Sequence, residues 1–128
     1  MIGRVTSALV LGPLATQTTA AVLFADLTGF GALTEARGDL AAADVATRFA
    51  ALARAALSGG AVLLKTLGDG VLVVAPDRAS ARATAVRLRE FVRHDSSLPA
   101  VRTGICEGAV VWRNGDNTVQ IVLTRCQP

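Results

Sequence analysis

Phe24-Ala25-Asp26-Leu27-Thr28-Gly29-Phe30 and Lys65-Thr66-Leu67-Gly68-Asp69-Gly70 are the two stretches on which the reading of this chain turns. Each places one carboxylate where a run of strand-forming residues, Ala20 to Ala25 and then Ala61 to Leu67, gives way to a turn. If those strands are neighbours, Asp26 and Asp69 meet at one end of a sheet. Two carboxylates a few ångströms apart repel one another unless a cation lies between them, and Mg²⁺ carrying a phosphate is the usual one. The residues after Asp26, Leu27-Thr28-Gly29-Phe30, read as the opening of a helix whose free N–H groups face an incoming polyphosphate. In outline this is a two-metal layout for phosphoryl transfer.

Working outward, Ala20 to Ala25 is continuously apolar, as in a central strand buried on both faces. Thr28 to Arg37 reads as a short helix ended by Gly38, and Asp39 as the N-cap of a longer one over Leu40 to Ser58. In that second helix Val45, Phe49, Leu52 and Ala56 form the inner stripe, and Asp44 and Arg48 an i,i+4 pair. Gly59-Gly60 stops it. Ala61 to Leu67 and Val71 to Ala75 make a hairpin turning at Gly68-Asp69-Gly70. Pro76-Asp77 starts a third helix, Arg78 to Arg93, with Ala81, Ala85, Leu88 and Val92 inward and Arg78, Arg82, Arg89 and Arg93 outward. Two further β-runs, Val101 to Cys106 and Ala109 to Arg113, are read as joined at Glu107-Gly108. After the turn Asn114-Gly115-Asp116-Asn117 comes a last strand, Thr118 to Thr124. The pattern β-α-α-β-β-α-β-β-β predicts an α+β fold, a sheet with helices on one face.

The joint occurrence of the two motifs closely resembles the class III nucleotidyl cyclases, the adenylate and guanylate cyclase family. The resemblance runs from about Thr19 to Asp116. It implies a ferredoxin-like, antiparallel-rich core. It also implies two Mg²⁺ or Mn²⁺ ions held by Asp26 and Asp69, and a triphosphate near Leu27, Thr28, Gly29 and Phe30. Lys65 matches the lysine that contacts adenine, and Asp116 stands where the family supplies an aspartate for the exocyclic amine. That pair selects ATP in preference to GTP, because a site built to bond a base edge rejects the analogue that leaves its buried groups unpaired. Each of these residues also has an ordinary structural role open to it: Asp26 as a helix cap, Asp69 and Asp116 as turn residues, Lys65 as an edge-strand lysine.

After Asp116 the pattern departs from the family. Cyclases continue into a helix carrying V-N-x-A-x-R, whose asparagine orients the ribose and whose arginine stabilises the transferring phosphate. Here Asp116-Asn117 runs directly into Thr118-Val119-Gln120-Ile121-Val122-Leu123-Thr124, which resembles a later strand of the family. Ungapped, Leu123 and Gln127 fall where the asparagine and arginine belong, and Arg125 is close but wrongly spaced. Loss of an arginine acting mainly in the transition state costs orders of magnitude in rate, and binding suffers less. The family assembles each site from two subunits, metals and lysine from one, asparagine and arginine from the other. The expectation is therefore an ATP-binding, cyclic-AMP-forming domain impaired as a homodimer and completed by another cyclase domain. The alternative is a non-catalytic dimerisation or regulatory module. A third possibility is a truncated product with an exposed sheet edge.

Composition limits the other classes. The chain has 128 residues, enough for one core, with 52% hydrophobic and 18% charged residues and a net charge of +3. No basic run alternates with aromatics, which argues against nucleic acid. Cys106 and Cys126 lack CxxC spacing and read as lone thiols, and with the single His94 they indicate neither zinc nor a disulfide framework. A reduced, cytoplasmic setting fits that reading. Residues 1–18 are expected to be a leader or an extra strand, and 19–128 the domain, without the usual C-terminal helix. The apolar run Ala8 to Leu11 is broken at Gly12-Pro13 and is too short to span a bilayer.

Overall fold

The apolar run Ala20–Ala25 lies within β2 (Thr16–Leu27), the axis of the sheet. A computed structural model describes residues 3–8, 16–113 and 118–127. On one side β2 pairs with β4 (Gly70–Ala75), and on the other with β5 (Val101–Arg113). The hairpin partner of β4 is β3 (Val62–Thr66). Beyond β5 come β6 (Thr118–Gln127) and then β1 (Gly3–Ala8). The order is β1-β6-β5-β2-β4-β3, and every neighbouring pair is antiparallel.

Two helical crossovers build the centre of this sheet. The helices α1 (Phe30–Arg37) and α2 (Asp39–Ala56) carry the chain from β2 over β4 to β3, and α3 (Arg78–Arg93) carries it from β4 over β2 to β5. This is a ferredoxin-like α+β core with its helices on one face. Alternation along the strands fixes that face. Ala21, Leu23, Ala25 and Leu27 of β2 and Val71, Val73 and Ala75 of β4 pack under the helices, against Val45, Phe49, Ala53, Ala81, Ala85, Leu88 and Val92. Asp26 and Arg102, which face one another across the ladder at even positions, belong to the helix-free face.

Thr84 is the one fully buried polar side chain among the described residues, and it is satisfied. Its Oγ1 donates to the Ser80 carbonyl at 2.9 Å and accepts from the Ser58 N–H at 3.1 Å. Arg87 donates to the Ala55 carbonyl at 3.2 Å and to Ser58 Oγ at 3.1 Å, closing the C-terminal end of α2. Asp77 caps α3 by accepting from the Ser80 N–H at 2.7 Å.

The structure corrects several local expectations. β5 is one strand of 13 residues, not two, because Glu107 and Gly108 stay in register with β2. The irregularity at Glu107/Gly108 is in the pairing with β6, so the glycine lies opposite an extra residue of β6 rather than in a turn. α1 begins at Phe30, after a left-handed Gly29, and not at Thr28. α2 begins at Asp39, with Gly38 as N-cap. Arg48 bonds Asp95 at 3.3 Å instead of Asp44, so the expected i,i+4 pair gives way to a tertiary one. Cys106 is disulfide-bonded rather than a lone thiol. Its Cα partner across the β5–β6 ladder is Cys126, the only other cysteine in the chain. Directly opposed antiparallel residues have Cα separations within the range a disulfide spans. No helix among the described residues is long and apolar enough to cross a membrane. Gly12-Pro13, the turn 114–117 and the assignment to Asp116 lie outside the described residues.

Candidate functional site

Ladder register brings the two motifs together. Asp26, next to last in β2, lies directly opposite Gly70 of β4 and opposite Arg102 of β5. Asp69 immediately precedes Gly70, so it occupies the turn one residue beyond the position facing Asp26. The Leu27 N–H donates to the Asp69 carbonyl at 2.9 Å, locking the turn to the end of β2, and the Leu67 N–H donates to the Gly70 carbonyl at 2.8 Å. Gly68 holds a left-handed φ of 73°, which a side chain would disfavour. At Gly70 a Cβ would stand 3.2 Å from the Ala25 carbonyl oxygen and 3.4 Å from Asp26 Cβ. Its absence lets the two segments approach this closely.

Asp26, Asp69, Gly70, Arg102, Gly104 and Phe24 line a common cavity of about 370 Å³. Arg102 is the functional candidate that sequence reasoning missed. Its Nη2 donates to Asp26 Oδ2 at 3.1 Å. The two side chains are 71% and 43% exposed, so water screens this pair and a stronger ligand can displace it. No local pattern marks Arg102, because its partner is 76 residues away and only the β2–β5 register joins them.

The donor set suits a hard divalent cation. Two carboxylates offer oxygen ligands of the kind Mg²⁺ and Mn²⁺ take. Among the described residues no group of three or more His, Cys, Asp or Glu could complete a metal site. Any ion here would draw its remaining ligands from water and phosphate oxygens, the usual state of Mg²⁺ beside a nucleotide.

The other expected residues are placed less simply. The Leu27 and Thr28 amides are not free donors: the first is bonded to Asp69 and the second to the Ala100 carbonyl at 2.8 Å. Thr28 Oγ1 donates to that same carbonyl at 3.0 Å. The unpaired amides at the start of α1 are therefore those of its first turn, Phe30, Gly31 and Ala32, behind the Gly29 cap. Lys65 is on the edge strand β3, opposite Leu72. Leu72 in turn faces Phe24, so Lys65 belongs to the same sheet face as Asp26, two strands across and two residues along, about 12 Å away. It does not line the Asp26–Asp69 cavity, but borders a second groove with Arg54, Leu57 and Leu63.

No family model matches the chain. Curated sequences do. The chain is 39% identical over 95 residues to the pH-sensitive adenylate cyclase MT1302 of Mycobacterium tuberculosis, covering 74% of this chain and 24% of that protein. It is 42% identical over 101 residues to an adenylate cyclase of Streptomyces coelicolor, covering 75% and 26%. The chain belongs to the class III nucleotidyl cyclase family. Solved structures show the same fold. A bacterial light-regulated adenylyl cyclase superposes with a TM-score of 0.69 at 17% identity, covering 89% of this chain and 39% of that one. The dimeric guanylyl cyclase domain of the RhoGC fusion protein from Blastocladiella emersonii gives 0.60 at 14% identity, covering 89% and 98%. This cyclase-family domain spans about a quarter of the length of the curated relatives it matches.

Proposed function

We propose that this cyclase-family domain binds ATP with two divalent ions at Asp26 and Asp69, and contributes the metal half of a site that forms cyclic AMP and pyrophosphate. The observation that carries this reading is the ladder contact that sets Asp69 beside Asp26 in one cavity with Arg102. When bound, the ions would offset phosphate charge and lower the pKa of the attacking ribose 3′-hydroxyl. Asp26 and Asp69 would hold them. Arg102, which bonds Asp26 here, would be able to offer its guanidinium to the triphosphate instead, where a planar fork matches phosphate oxygens. Amides of the first turn of α1 are the remaining donors for phosphate. Lys65 would read the purine edge from the edge strand β3, with Asp116 as its partner.

Only four residues, 114–117, separate β5 from β6. They leave no room there for the helix that carries the ribose asparagine and the transition-state arginine in the family. A homodimer built on the family's plan would thus bind nucleotide and turn it over poorly, and a second cyclase domain would complete the site. The same short connection favours the other reading, a regulatory module that keeps the fold and the dimer surface without catalysis.

Isothermal titration with ATP and Mn²⁺ tests the proposal. The wild type should bind ATP more tightly than GTP. Asp26→Ala and Asp69→Ala should each abolish Mn²⁺-dependent binding and leave the circular dichroism spectrum unchanged, since neither belongs to the core. Equal affinity in wild type and both variants would remove the metal assignment.

A further inference from the structure

The outward side of α3 carries charge that the fold does not use. Arg82 and Arg89 are exposed, and neither has an ion-pair partner among the described residues. Val86 lies between them on the same stripe, at i,i+4 and i,i+3 spacing, and is 53% exposed. The other arginines of α3 have internal partners. Arg78 bonds Glu107 at 2.9 Å, Arg87 serves the end of α2, and Arg93 lies 3.8 Å from Glu90.

Beside this stripe runs a cavity of about 520 Å³, between α3 and the connection to β5, lined by Val86, Arg89, Arg93, Leu98, Pro99 and Val101 among others. The two acids on its rim are already engaged. Asp95 accepts from Ser97 Oγ and the Ser97 N–H and pairs with Arg48, and these bonds hold its carboxyl below the usual range. Glu90 is shared between Arg93 and His94. The groove is therefore lined by half-buried Leu98, Pro99 and Val101 and carries at its edge one cation, Arg89, that no acid of the described residues engages.

We propose that this groove and the stripe beside it bind an acidic amphipathic segment of a protein partner, its carboxylates on Arg89 and Arg82 and an apolar side chain against Val86 and Leu98. Concavity favours a peptide over a lipid surface, because a flat array of headgroups cannot reach half-buried Leu98 and Pro99. Charge complementarity sets the sign of the partner and gives the contact a salt dependence. The groove lies on the helical side of the sheet, so the proposal does not depend on the nucleotide reading.

The test is a peptide selection from a displayed random library against the whole domain. Fluorescence anisotropy of the strongest binder follows on wild type, Arg89→Glu, Val86→Asp and, as a control on α1, Arg37→Glu. All three positions are exposed, and circular dichroism checks that each variant folds. Selected peptides should combine Asp or Glu with an apolar residue. Their affinity should fall about tenfold in Arg89→Glu and in Val86→Asp, hold in Arg37→Glu, and weaken between about 50 and about 200 mM salt. Three results overturn the proposal: no binder from the selection, binders without acidic residues, or acidic binders whose affinity survives both groove substitutions. Sedimentation with phosphatidylserine-rich vesicles runs alongside. Vesicle binding that Arg89→Glu abolishes, with no peptide selected, assigns the face to a membrane and also overturns it.

Discussion

With Arg102 removed, Asp26 loses the cation that neutralises it, and the cavity holds two uncompensated carboxylates. The direction of the effect on each ligand then differs. Mn²⁺ alone should bind Arg102→Ala more tightly than wild type, because the metal no longer competes with a guanidinium for Asp26 Oδ2. ATP with Mn²⁺ should bind about tenfold more weakly, because the charge-assisted bonds from arginine to phosphate are lost. Titrations of the two ligands, run separately, check both signs. A variant that weakens both alike would show Arg102 to be a structural support for the end of β5 and not a switch between carboxylate and phosphate. That Asp26 and Asp69 were visible in the sequence follows from their motifs, each a short string with a strand before it and a turn after it. Arg102 has no such string. Long-range antiparallel register is what gives it meaning, and one sequence does not state its register.

At the scale of elements, helix ends control behaviour in acid. Asp77 accepts from the Ser80 N–H and side chain, and these bonds hold its carboxyl below the ordinary value of 3.8. A carboxylate whose pKa is depressed by folding stabilises the native state above its unfolded pKa, and loses that contribution as pH falls through its folded value. Asp77→Ala should therefore melt a few degrees below wild type at neutral pH. The gap should close progressively below about pH 4, as the wild-type carboxyl is protonated. Thermal melts followed by circular dichroism across that range check it. A constant gap would mean that the cap acts through packing rather than charge. The helices themselves were legible because their apolar periodicity is strong. Ala81, Ala85, Leu88 and Val92 of α3, and Val45 and Phe49 of α2, are all buried as the spacing required. Where local logic failed, a tertiary partner won. Arg48 left Asp44 for Asp95, and Gly108, read as a turn, proved to lie opposite an extra residue of β6 while its pairing with β2 continued unbroken.

For the whole molecule, two features set what a solution experiment will see. The Cys106 disulfide sits in the β5–β6 ladder, where a spacing rule looking for CxxC had no reason to find it. Dithiothreitol should lower the unfolding free energy by about 3 kcal/mol, the typical effect of a bridge closing a loop of this order. Denaturation with urea in oxidising and reducing buffer, together with mass spectrometry for the gain of two hydrogen atoms on reduction, would check this. The second feature is the short β5–β6 connection. The purified domain should make little or no cyclic AMP. Mixing it with a cyclase domain that keeps the asparagine and arginine but lacks its metal aspartates should restore turnover at one shared site. Robust turnover by the domain alone would show that another group replaces the missing arginine. Heterodimers detected by mass but inactive would favour the regulatory reading.

The hydrogen bond from the Leu27 N–H to the Asp69 carbonyl has a consequence for how quickly and how tightly this cavity responds to a visitor. It clasps the backbone of one motif to the backbone of the other, so the two aspartates are spaced by the act of folding. The ordering entropy of bringing them together is spent once, at synthesis, and is not charged again at each encounter. What remains adjustable lies in rotamers and in water, which relax on picosecond to nanosecond timescales, rather than in loops that relax in microseconds. On the proposed reading, a ligand entering this cavity meets two aspartates whose main chains are already set side by side, and only their carboxylate rotamers remain to be chosen.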